Sequence, residues 1–226
     1  MSFFALLSHP LGRVARARAA ALPVLAWAVF AVFVAAVART HTTPVFDALT
    51  KGLGAVSLPL VAFALFGLVC PEGTIAGAAK PLLFVGAPHA RSRLAVLLGL
   101  VGTTALVGAA LGAAVVLVAH GPSDPPLGRD VAVSAGVSAL GGAAYAVYYA
   151  LGAALFGASG RGTFLVLDLV LGGLGAGAIL TPRGHVRALF GGAHVVDLSA
   201  RGSSIVLALM LVVFGALALA RSSTRE

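Results

Sequence analysis

Charged residues punctuate this chain at intervals and leave six apolar stretches between them. Residues 19–38 carry no charge between Arg18 and Arg39, and 52–71 carry none between Lys51 and Glu72. Residues 94–119 follow Arg93, 131–160 lie between Asp130 and Arg161, and 202–220 run from Arg201 to Arg221. Residues 162–182 hold one charge, Asp168. A helix needs about 20 apolar residues to cross the hydrocarbon core, and each stretch meets or nearly meets that length. Unpaired backbone groups are too costly in lipid for open sheet edges, so the stretches are read as helices. The pattern predicts an all-α polytopic membrane protein, six transmembrane helices forming one domain over residues 1–226.

The polar segments fill in the layout. Residues 2–18 read as an amphipathic entry helix, with Phe3, Phe4, Leu6, Leu7, Leu11 and Val14 toward lipid and Arg13, Arg16 and Arg18 toward head groups. The first apolar stretch also has the look of a signal peptide, since Ala36-Val37-Ala38 resembles a cleavage site, but it exceeds a usual signal core and is expected to be retained. The segment 183–201 is expected to be an outer loop with a short interfacial or re-entrant helix broken at Gly191-Gly192. Six spans put both termini on one side. Placing that side in the cytoplasm gives it nine basic residues (13, 16, 18, 80, 91, 93, 161, 221 and 225) against six, the bias expected of a multi-pass protein of the cell's inner, or plasma, membrane.

Composition agrees. Hydrophobic residues make up 60% of the chain and charged residues 10%, against about half and a quarter in a soluble domain. The net charge of +8 is carried at the ends of apolar stretches, which points to membrane orientation rather than nucleic acid. Neither a P-loop, H-E-x-x-H nor G-x-S-x-G pattern occurs, and the spans hold no carboxylate pair, so no catalytic or nucleotide-binding residue is expected. His41, His185 and His194 come from the outer side at no recognised metal spacing and are read as surface residues, and Cys70 stands alone, so no metal site is expected. Gly108–Gly112 and Gly173–Gly177 fit the small-xxx-small pattern of close helix packing. Asp168 would cost about 2.5–3.5 kcal/mol at the bilayer centre. Two readings of it stay open: an interior contact on a transport pathway, or a snorkelling carboxylate paired with Arg161.

The loop at 72–93 is long for a connection in a compact bundle. It reads Glu72-Gly73-Thr74, then Lys80-Pro81-Leu82-Leu83-Phe84, Ala87-Pro88 and Arg91-Ser92-Arg93 before the third span. Glu72 and Thr74 are placed to cap a helix start, with Pro81 and Pro88 keeping the element short. In order and spacing this loop, with the six-span layout, resembles the permease subunits of ABC-2 type ATP-binding-cassette exporters. The resemblance implies a cytoplasmic coupling helix that docks on a separate ATPase subunit through Glu72, Gly73, Thr74, Lys80, Leu82, Leu83, Phe84 and Arg91. It also implies that ATP and Mg are bound by that subunit, and that two permeases, identical or related, pair in the bilayer. A stand-alone channel or gradient-driven carrier is the alternative.

Overall fold

The computed structural model describes residues 3–16, 21–40, 42–122, 124–173 and 175–223. The described residues form helices and connecting turns, with no strand. In chain order the α-helices are α1 (Phe3–Arg16), α2 (Leu22–Ala38), α3 (Pro44–Asp47), α4 (Leu58–Val69), α5 (Ile75–Phe84), α6 (His89–Ala119), α7 (Leu127–Phe156), α8 (Gly160–Leu171), α9 (Pro182–Leu189) and α10 (Ala200–Ser223). A ten-residue π-helix, Ala48–Ser57, joins α3 to α4, so Pro44–Val69 is one helical rod.

Four helical stretches are long and apolar enough to cross a membrane: Pro44–Val69, His89–Ala119, the stretch beginning at Leu127, and Ala200–Ser222. The other two expected spans are shorter as helices. α2 has 17 residues, about 26 Å at 1.5 Å per residue. α8 has 12, about 18 Å, and stops where Gly172 and Gly173 follow.

The stretch from Leu127 to Leu171 turns back on itself at Gly157, whose φ of +73° suits glycine. Gly152 lies against Gly160 and Phe164, Tyr148 against Phe164 and Tyr145 against Asp168, so α7 and α8 run antiparallel. α6 and α7 form the centre. Gly108 and Gly112 bring α6 against the α7 backbone at Ser134 and Ser138, and Gly142 answers at Thr104, the close approach that the small residues of the first motif allow. Gly173, in the second motif, meets nothing and belongs instead to the break after α8.

The core is continuous through the bundle. Tyr145, Tyr149, Phe66, Leu58, Leu65, Leu100 and Leu207 are fully buried in it. α2 turns Ala31, Ala35 and Ala38 inward and Leu25, Val29, Phe33 and Val37 outward, and α10 exposes Ile205, Leu209, Val212 and Val213. An outward face of this kind is the one that lipid or another span covers. α1 is docked rather than detached: Leu6 is buried and Pro10 packs on Gly99 of α6.

One end of the bundle gathers α1, the 70–88 segment and the last turn of α10. His9, Arg13, Leu68, Pro71, Pro81 and Val85 line one cavity there, and Glu72, Ile75, Lys80, Ala218 and Ser222 line another. At the opposite end Pro44 lies near Gly121 and Phe46 near Gly191.

Candidate functional site

Two constellations stand out: the segment between α4 and α6 at the end holding α1, and the break between α8 and α9 inside the bundle. The first is built from its caps. Gly73 has φ +78°, and a Cβ there would strike Ala158, so glycine serves both the turn and the close approach. Thr74 then takes an extended conformation, and its Oγ1 accepts the Gly77 N–H at 3.1 Å, the N-cap of α5. Glu72 does not bond that helix start. Its carboxylate meets Arg13 of α1 at 3.4 Å, and Arg13 also donates to the Val69 carbonyl at 3.0 Å. The ion pair thus ties α1 to the end of α4.

α5 runs through Pro81 to Phe84 instead of stopping at the proline. Ile75, Ala78, Ala79 and Leu82 face the bundle, and Leu83 is half-buried. Leu82, expected to face a partner, is therefore part of the core. Phe84 is 90% exposed and Val85 is exposed beside it, while Lys80 and Arg91 also face out. The eight residues read from the loop thus divide: Gly73, Thr74 and Leu82 set its shape, and Phe84, Lys80, Arg91 and Glu72 are exposed, Glu72 while paired with Arg13, with Leu83 between. Val85 joins the exposed set; its position after the helix, where the chain turns at Gly86, was the signal for it.

The second constellation answers a problem in backbone chemistry. A helix broken at membrane depth leaves carbonyls at one end and amides at the next start without partners. Here two side chains supply them. Asp168, fully buried on α8, accepts the Arg183 N–H in the first turn of α9 through Oδ1 at 3.1 Å. Arg183 in turn sends its guanidinium back to the Leu169 carbonyl near the end of α8 at 3.0 Å. The Asp168 Oδ2 accepts the Tyr145 hydroxyl at 3.1 Å, and Tyr149, stacked on Tyr145 at 5.8 Å, donates to the Pro59 carbonyl at 3.1 Å. His185 of α9, also fully buried, donates through Nε2 to Ile179 at 3.1 Å.

Asp168 is therefore neither snorkelling nor paired with Arg161. Arg161 lies instead over Phe63, with its guanidinium carbon 4.9 Å from the ring centre, and 5.8 Å from that of Phe66. Of the three histidines weighed as metal ligands, His185 is buried and His194 exposed, while His41 lies outside the described residues. Tyr145, Tyr149 and Arg183 were not singled out from sequence; tyrosines at i and i+4 facing a lone intramembrane carboxylate were the available signal. No family model, curated protein or solved structure matches this chain.

Proposed function

We propose that this chain is the transmembrane permease subunit of an ABC-2 type exporter. It forms the substrate pathway in the bilayer and is driven by a separate ATPase subunit that binds ATP and Mg. The observation that carries the reading is the α5 segment: a capped, well-packed short helix that ends in an exposed Phe84-Val85 pair flanked by Lys80 and Arg91. A 90%-exposed phenylalanine has no packing role in the monomer, and aromatic residues so placed are the usual anchors of a protein interface. The inner face of α5 is held by the core, so force on Phe84 passes to α6 and α7 rather than to a loose loop.

The six-crossing arrangement belongs to the same proposal. α2 begins and α10 ends on the side that holds α1, which an even number of crossings requires. α2 completes the first crossing, and α8 with the segment through α9 completes the fifth. Both termini then lie in the cytoplasm, and α1 rests at the membrane surface against α6. Two copies, or one with a related permease, enclose the pathway.

The test is affinity purification of the tagged full chain from its native membranes. Recovery of an ATP-binding-cassette ATPase in near-stoichiometric amount is the expected result. Recovery of the chain without any P-loop protein, together with ion flux in vesicles holding it alone, would favour the stand-alone channel or carrier.

A further inference from the structure

Arg161 sits in an apolar cleft of about 460 Å3 between α2, α4 and α8, lined by Pro23, Trp27, Phe63, Leu165 and Gly67. Its guanidinium rests on Phe63 and Phe66, and among the described residues it makes no ion pair and no hydrogen bond. A guanidinium carries five N–H donors in a planar fork, and contact with rings engages none of them; Arg161 is half-buried there. Ring faces attract the charge, but they leave the hydrogen bonding undone.

On the other side of Gly67 and Leu68 lies a second cavity, about 670 Å3, lined by Ser8, His9, Arg13 and Arg16 of α1. Gly67 lines both, and its lack of a side chain keeps the divide thin. Arg13 and Arg16 line that second cavity, and the Glu72 carboxylate is engaged by Arg13. The site is thus a fork of donors in an apolar slot, with the basic residues of α1 across the Gly67–Leu68 divide.

We propose that the cleft holds an anionic phospholipid from the surrounding leaflet. Its phosphate accepts the Arg161 fork, and one acyl chain lies along Trp27, Phe63 and Leu165. Phosphate matches the planar fork by paired hydrogen bonds, and basic pockets between spanning helices suit such head groups. The volume falls in the range of small-molecule sites, and the apolar walls fit a tail that a free ion lacks. This inference rests on the membrane character of the chain and not on its assignment as a transporter.

Trp27 is the single tryptophan and lines the cleft, so its fluorescence reports occupancy directly. The full chain is placed in vesicles containing phosphatidylglycerol or phosphatidylcholine with brominated acyl chains at equal mole fraction. The expected result is a severalfold preference for phosphatidylglycerol in quenching Trp27. Arg161→Gln removes that preference and Arg161→Lys keeps part of it. Arg221→Gln, an equal change of charge away from the cleft, leaves it intact. Equal quenching by the two lipids in the unaltered chain would overturn the proposal, and that comparison stands even if Arg161→Gln fails to fold. An equal loss of preference in Arg221→Gln would show a bulk charge effect and no site. Inorganic phosphate abolishing the preference would show an ion site without need of a tail, and would overturn the lipid assignment.

Discussion

Asp168 shows how one buried residue can hold a break in a membrane helix. Its two oxygens serve two donors, the Tyr145 hydroxyl and the Arg183 N–H. Asp168→Ala leaves both without acceptors, at about 1–3 kcal/mol for the buried hydroxyl and less for the half-buried N–H, so a marked fall in thermal stability in detergent is expected. With Asp168→Ala present, adding Tyr145→Phe costs less than Tyr145→Phe alone, because the hydroxyl already lacks its partner. Strict additivity of the two changes would mean that this hydrogen bond contributes nothing. His9 on α1 gives a pH dependence of known sign. Burial holds its pKa below the ordinary 6.5, Arg13 and Arg16 add repulsion, and Glu72 offsets part of it. Above pH 6.5 the residue is neutral whether α1 is docked or not. As pH falls through that value the undocked helix takes up the proton first, so docking weakens toward acid pH. Protection factors over Phe3–Arg16, taken against the intrinsic exchange rate at each pH, should therefore fall from pH 8 to pH 5, and His9→Gln should flatten the difference.

At the scale of elements, α5 depends on its start. Thr74→Ala removes the N-cap and should cost about 1 kcal/mol, read as faster exchange over Ile75–Lys80. Gly73→Ala should cost more, since the added Cβ meets Ala158 and the backbone is left-handed there. The reverse order of severity would place the cap, not the turn, in control of this segment. Part of this element was legible in the chain: Thr74 as a cap follows from residue type and position, whereas Glu72, read as a cap with it, pairs with Arg13 instead. The orientation of Leu82 was not legible, because inward and outward positions of a ten-residue helix with Leu82, Leu83 and Phe84 in a row are not separable by pattern alone. The break after Leu171 was likewise hidden. Gly172-Gly173 reads equally as a packing motif or a stop, and only the Asp168–Arg183 exchange of hydrogen bonds distinguishes them. The pairing of Arg13 with Glu72, 59 residues apart, carries no local signal at all.

For the whole molecule, hydrophobic pattern was enough to show a helical membrane protein, because lipid demands long apolar helices. It could not show that α2 and α8 fall short of the other spans. Sidedness is open to direct measurement: Cys70 is buried, so introduced cysteines report with little background. Asp197→Cys should label from outside, and Val85→Cys from the cytoplasm only, while Phe190 is too buried to report. Labelling of both positions from one side would contradict the proposed topology. The central claim is that the exposed end of α5 receives the motor subunit. Phe84 is solvent-exposed, so Phe84→Ala should leave the melting temperature nearly unchanged. Loss of the ring from a packed interface should still cost about 2 kcal/mol, roughly thirtyfold in affinity. Binding of the ATPase subunit to the purified chain and to its Phe84→Ala variant is the measurement that bears most directly on the account. A thirtyfold loss at constant stability is the predicted result; equal affinity for the two chains would contradict it.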